Sequence, residues 1–256
     1  MGKLNSAINA FLNKLRSKSG IAQHTTAVIV AGGKSSRMGK GVSKQWISLG
    51  GTPVIAHTVH AFDRAETVKD IILVIRKEEE ERYHEFAAKY NVKKPLRIVA
   101  GGETRQQSAK NGFLACADTA KFVAFHDGAR CLITPEEIDK VCREAYLHDA
   151  ATAAVRVTDT VKSATPNGFI DQTLDRDSIW LAQTPQVFKT AVYHAAIAMA
   201  QKDEIAVTDD CSLVEHIQHP VYLVECSKDN FKLTTKKDLI YAKAVLSERK
   251  RKGTTV

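Results

Sequence analysis

The chain is predicted to be an α/β protein built around a mostly parallel sheet, and three observations carry that prediction. Thr25 to Ala31 is an unbroken β-branched and apolar segment, as expected for a strand buried on both faces. Strand-like and helix-like segments alternate after it, which implies right-handed βαβ units with helices covering the sheet. The 256 residues show no composition break, a length compatible with one substantial domain or two small ones.

Taken in order, Leu4, Ile8, Phe11, Leu12 and Leu15 recur at helical spacing among basic residues and predict a short amphipathic helix ending near Gly20. After the first strand, Pro53 to Arg64 reads as a helix with proline in its first turn, and Asp70 to Arg76 as a second buried strand. Helix is expected over Glu78 to Tyr90, strand over Leu96 to Val99, helix over Thr104 to Ala117 and strand over Lys121 to His126. From Thr158 to about Trp180, short Thr, Val and Ile segments surround the turn Thr165, Pro166, Asn167, Gly168, which is a hairpin signal inside a βαβ chain. Such a hairpin would serve as a lid or a dimerisation arm. Helices at Lys189 to Gln201 and Asp210 to Gln218, a strand at Val221 to Glu225 and a closing helix from Lys236 complete the expected fold.

The run VIVAGGKSSRMGKGVSKQW, Val28 to Trp46, joins the first strand to a basic glycine loop. Gly32 and Gly33 lack a Cβ, so backbone N–H groups there can approach a polyphosphate. Arg37 adds a planar fork of donors and Lys44 a compact point charge. The loop is neither GxxxxGK[ST] nor GxGxxG, which weakens ATPase and dinucleotide readings. In open α/β sheets ligands gather outside the carboxyl ends of the strands, so Asp127, Gly128 and Arg130 should face the same crevice as this loop.

Composition bounds the alternatives. The formal charge is +8, but Lys3, Lys14, Arg16 and Lys18 stand without an acid in residues 1–24, and five basic residues face only Glu248 in residues 241–256. The body between is formally neutral, so basic ends rather than a basic groove set the charge, and no nucleic-acid partner is expected. Cys116, Cys131, Cys142, Cys211 and Cys226 form no CxxC pair or zinc-like cluster and suit a reduced cytosol. No apolar run approaches the roughly 20 residues of a membrane span and no secretory signal opens the chain, so a soluble cytoplasmic protein without stable membrane association is expected. The expected organisation is a basic amphipathic extension over 1–24, a main domain over 25–248 containing a hairpin arm at 158–180, and a basic tail over 249–256.

The first strand and loop resemble the signature of nucleotidyltransferases that make nucleoside-diphosphate sugars and alcohols. GGETRQQS (101–108), FHDGAR (125–130), VTDTVK (157–162), LDRDSIWLAQTPQVF (174–188), VTDD (207–210) and DNFKLTT (229–235) follow in order. Together they are similar to the 2-C-methyl-D-erythritol 4-phosphate cytidylyltransferase family, over about Thr25 to Leu246. The departures are local: Ser43, Ser35, Glu103 and Cys131 stand where the family commonly has Pro, Gly, Asp and Pro.

The resemblance implies a Rossmann-like three-layer sandwich whose projecting hairpin is the dimerisation arm of a homodimer. It implies transfer of CMP from CTP to methylerythritol 4-phosphate with release of pyrophosphate, and a divalent ion, Mg²⁺, on the triphosphate. Arg37, Lys44 and Lys232 would be catalytic. Ala31, Gly32, Gly33, Gly102, Glu103, Ser108, Asp127 and Gly128 would bind CTP, and Asp127 would also help hold the metal. Asp127, Arg130, Thr184, Thr208 and Lys232 would meet the acceptor, with Thr160 and Arg176 reaching in from the neighbouring subunit. The competing expectations are a ribitol-5-phosphate or other polyol-phosphate cytidylyltransferase and a non-catalytic nucleotide-binding homologue. Acceptor choice rests on few pocket contacts.

Overall fold

A computed structural model describes residues 23–33 and 43–253. The expected amphipathic helix lies outside the described residues. The chain orders as β1 (Thr25–Val30), β2 (Ser48–Leu49), β3 (Thr52–Pro53), α1 (Val54–Arg64), β4 (Val68–Ile75), α2 (Glu80–Tyr83), α3 (Phe86–Lys89), β5 (Leu96–Ala100), α4 (Arg105–Leu114), β6 (Phe122–Asp127), α5 (Pro135–His148), β7 (Ala150–Arg156), β8 (Lys162–Ala164), β9 (Ile170–Thr173), β10 (Trp180–Lys189), α6 (Thr190–Lys202), α7 (Asp210–His216), β11 (Tyr222–Glu225) and α8 (Lys236–Arg251).

Seven strands form one sheet in the order β11-β7-β10-β6-β1-β4-β5. Pairings β1–β4, β1–β6, β4–β5 and β7–β11 are parallel, while β10 runs antiparallel to both β6 and β7. Alternation along β1 divides its side chains between the two faces. Ala27 and Ile29 join Ile55, Phe62, Ile138 and Val141 in one core, and Val28 joins Phe113, Tyr193 and Leu213 in the other. Helices thus cover both faces, giving the three-layer arrangement expected.

Close approach on the second face depends on Gly112 of α4. A Cβ there would lie 2.4 Å from Val28 Cγ1 and 2.8 Å from Val74 Cγ2, so only glycine lets the helix seat this deeply on β1 and β4. A third core cluster, with Leu49, Val54, Leu132, Leu233 and Leu246, packs α8 and the β2–β3 hairpin against the segment that follows β6.

Three differences from the sequence reading have physical causes. The helix expected over 78–90 is broken into a 3-10 turn at Lys77–Glu79 and the short α2 and α3. Aromatic packing competes with helix continuity there: Trp46 lies 4.7 Å from Tyr83 and 6.2 Å from Phe86, ring centroid to centroid, and Arg82 stands 4.6 Å over the Trp46 ring. The region 131–157, to which the sequence reading assigns no element, holds α5 and the fully internal β7. Finally, the hairpin signal ends in a strand of the main sheet, because β10 begins at Trp180, leaving β8 and β9 as the projecting pair.

Candidate functional site

The carboxyl ends of β1, β5 and β6 meet in one crevice. Ala31 N–H donates to the Val74 carbonyl at 2.7 Å, Gly101 N–H to Ile75 at 2.7 Å and Gly128 N–H to Val30 at 2.9 Å, so each turn leaves the sheet with its backbone already fixed. Gly32 and Gly128 sit where these turns converge. A Cβ on Gly128 would stand 3.0 Å from Ile55 Cδ1 and 3.3 Å from both Ala31 Cβ and Gln45 Oε1. The buried Gln45 therefore brings the returning stem of the glycine loop, and with it half-buried Lys44, back against the end of β6.

The loop after β5 is braced by a capping box. Thr104 Oγ1 accepts from Gln107 N–H at 3.1 Å, while Gln107 Oε1 accepts from the amides of Thr104 and Glu103 at 3.3 and 2.8 Å. Ser108 is buried, its Oγ accepting from Gly102 N–H at 3.0 Å and donating to the Thr104 carbonyl at 2.9 Å. Its hydroxyl thereby shapes the Gly102–Glu103 turn.

Asp127 ends β6 and gathers three cations. Lys232 Nζ lies 3.0 Å and Arg130 Nε 3.4 Å from Oδ2, and Arg105 Nε lies 3.5 Å from Oδ1. Burial favours the neutral acid, yet Lys232, Arg105 and Arg130 outweigh it and hold the carboxyl well below the usual carboxylate range. Burial pushes the Arg130 guanidinium down, with Asp127 working against that shift. Lys232 is placed by its neighbours: Arg130 donates to the Asn230 carbonyl at 2.9 Å, and Leu233 N–H donates to the Ala129 carbonyl at 2.9 Å.

Behind Asp127 stands a fully buried histidine. His126 Nε2 faces the Arg130 carbonyl at 3.2 Å, which can only accept, so that nitrogen carries the proton. Nδ1 then accepts from Thr184 Oγ1 at 3.0 Å, and Thr184 Oγ1 accepts the Asp127 amide at 3.0 Å. Thr184 sits in the bulge of β10 between Ala182 and Gln186, before a cis peptide bond to Pro185. Burial pushes the His126 imidazole down to about 3, against a carbonyl partner that works the other way. The unfolded chain therefore binds more protons than the folded one between that value and about 6.5, and stability rises with pH across the window. In urea titrations, the stability advantage of wild type over His126→Gln is expected to shrink by about 2 kcal/mol between pH 7 and pH 5.

Several expected residues come together here: Ala31, Gly32, Gly128, Asp127, Arg130, Thr184 and Lys232 share the crevice, and the Gly102–Ser108 loop flanks it. Gly33 is exposed at the start of the loop, and Thr208 is exposed beside Asp209, the cap of α7. Thr160 and Arg176 lie exposed on the projecting arm, where Arg176 donates to the Thr158 carbonyl at 3.2 Å. Arg37 lies outside the described residues. The sequence reading missed Arg105 and the bracing amides. Gln186 accepts from the amides of Asp210 and Cys211 and donates to Asp209, while Asn230 donates to Gln183 Oε1 and the Thr184 carbonyl. Among the described residues no group of three or more His, Cys, Asp or Glu gathers as a metal site, and no helix is long and apolar enough to cross a membrane.

A mostly parallel sheet ending in glycine turns, with cations converging on a single carboxylate, fits an α/β protein of the nucleotidyltransferase class. More specifically, the chain belongs to the 2-C-methyl-D-erythritol 4-phosphate cytidylyltransferase family, whose model matches residues 25–248. It is 42% identical over 224 residues to the protein of that name from Pelotomaculum thermopropionicum, covering 87% of this chain and 94% of the relative. The Geobacillus kaustophilus protein of the same name is 40% identical over 224 residues, covering 87% and 97%. A solved structure described as 4-diphosphocytidyl-2C-methyl-D-erythritol synthase from Anaerococcus prevotii superposes with a TM-score of 0.80 at 31% identity, covering 88% of this chain and 99% of that one.

Proposed function

We propose that the chain transfers CMP from CTP to 2-C-methyl-D-erythritol 4-phosphate, releasing pyrophosphate, and that the crevice around Asp127 is where this happens. The convergence of Lys232, Arg130 and Arg105 on one carboxylate at the ends of β1 and β6 carries the reading. A phosphate oxygen of the acceptor forms a bond to the α-phosphorus while the bond to the bridging oxygen of pyrophosphate breaks. The attacking oxygen already carries negative charge near neutral pH, so positioning and cationic stabilisation matter more than a general base. His126, neutral and wholly engaged, suits that demand as a support.

In this reading Lys44 and Arg37 stabilise the triphosphate and the departing pyrophosphate. Ala31, Gly32, Gly33 and Gly128 lend backbone to the nucleotide, and Gly102, Glu103 and Ser108 shape the cytosine pocket. Arg130, Lys232 and Thr208 serve the acceptor, and buried Thr184 supports them by holding His126 and the Asp127 amide. A single carboxylate, Asp127, fits Mg²⁺, which prefers phosphate oxygens and water with one or two protein carboxylates. Bound on the triphosphate, the ion would supply charge neutralisation. The same reading places the enzyme in the cytoplasm. Pyrophosphate release with CTP and Mg²⁺ tests it: fast release with methylerythritol 4-phosphate is expected, and a preference for ribitol 5-phosphate, or CTP binding without turnover, would overturn it.

The reading also makes the β8–β9 arm a dimer contact through which Thr160 and Arg176 complete the partner's site. Support comes from Phe169, 74% exposed, and Ile170, 66% exposed, an apolar tip poorly suited to solvent. Arg176→Ala and Lys44→Ala should each be nearly inactive alone. Mixed and exchanged, they should recover about a quarter of wild-type activity, because half the dimers then hold one intact site of two. No recovery after verified subunit exchange would refute the shared site.

A further inference from the structure

We propose that Arg105, fixed from behind by Asp210, is a positioning residue that holds Asp127 Oδ1 and so keeps Lys232 and Arg130 available to the acceptor phosphate. The proposal rests on the cytidylyltransferase reading for its substrate. Arg105 opens α4, and its guanidinium is divided between two carboxylates: one nitrogen, Nη2, lies 2.8 Å from Asp210 Oδ2 and Nε lies 3.5 Å from Asp127 Oδ1. Asp210 is only 1% exposed, and its place is fixed from several sides. Tyr193 Oη donates to its Oδ1 at 2.7 Å, and its own amide donates to Gln186 Oε1 at 2.9 Å. Tyr193 in turn packs 4.3 Å from Phe125 and 5.0 Å from Phe113, ring centroid to centroid, in the core under β6.

The two oxygens of Asp127 thus have different partners. Oδ1 faces Arg105, while Oδ2 faces Lys232 and Arg130. Without Arg105, rotation of the carboxylate would let both oxygens turn toward Lys232 and Arg130, where they compete with an incoming phosphate for the same donors. Arg105 also begins the helix whose capping box braces the Gly102–Glu103 turn, so its placement joins the two halves of the crevice.

Arg105→Gln alone leaves the buried Asp210 without its cation and should lower the melting temperature. Pairing it with Asp210→Asn replaces the ion pair by two amides and should restore the fold. The restored double variant is expected to show a KM for methylerythritol 4-phosphate raised about tenfold or more, with the KM for CTP changed much less. Wild-type KM and kcat in that variant would overturn the proposal, since a purely structural pair would be fully rescued. Where the double variant does not fold, Arg105→Lys makes the same test, keeping charge beside Asp210 and dropping the Nε donor. A crystal structure of the tested variant separates this proposal from the functional reading. Asp127 turned toward Lys232 supports it even if the wild type proves inactive on the methylerythritol acceptor, and an unmoved carboxylate refutes it.

Discussion

Replacing Lys44 by alanine is expected to lower kcat by about two to three orders of magnitude, the cost of one preorganised donor at a developing charge, on the order of 3 kcal/mol. The fold should survive, because the neighbours of Lys44 anchor the segment. Gln45 is buried against Gly128, and Trp46 packs tilted against Tyr83 and edge-on to Phe86, with Arg82 over its ring. Steady-state pyrophosphate release and a thermal melt should therefore separate, with activity collapsing and the melting temperature moving by a few degrees at most. Lys44→Arg should recover only part of the loss, since a planar fork on a longer stem delivers its charge differently. A Lys44→Ala enzyme within threefold of wild type would remove Lys44 from the chemistry.

Much of the architecture was legible because it follows from local pattern. β1 announces itself through an apolar run, and α4 and α8 begin at Thr104 and Thr235, each with a side-chain cap that composition alone suggests. α5 carries the same kind of signal, in Thr134, Pro135 and Glu137, yet the sequence reading passes over it and assigns that stretch no element. The direction of β10 was not legible, because alternation along a strand is the same whether its neighbours run parallel or antiparallel, and Pro185 makes its middle read as a turn. At the site, Asp127 and Arg130 were readable as candidates from their place at the carboxyl end of a strand, where ligands gather, whereas Lys232 is named only through the family resemblance. Arg105 was not readable, since its meaning comes from Asp210, far along the chain. Thr184 and Ser108 show the opposite limit: the sequence offers two hydroxyls for substrate, while the fold already engages them with His126, Gly102 and Thr104.

Asp127→Asn should combine a loss of turnover of about a hundredfold or more with a loss of stability of about 3 kcal/mol, because removing one partner of a mostly buried ion cluster strands the others. Three cations share this carboxylate. Arg105 keeps Asp210 after the substitution, and Lys232, 36% exposed, can turn to water, so Arg130 bears most of the penalty. The pH dependence identifies the cause. The folded-state carboxyl titrates below its unfolded value, so its contribution is fully present above about pH 4 and is lost as the pH falls toward the folded-state titration. The stability gap between wild type and Asp127→Asn should accordingly be constant at neutral pH and narrow below about pH 4 in denaturant titrations. Inorganic phosphate should raise the melting temperature of the variant more than that of wild type, because an anion can take the place of the missing charge among Arg130 and Lys232. An equal shift in both proteins would mean that the phosphate site and the Asp127 cluster are separate, and the assignment of the crevice would fail with it.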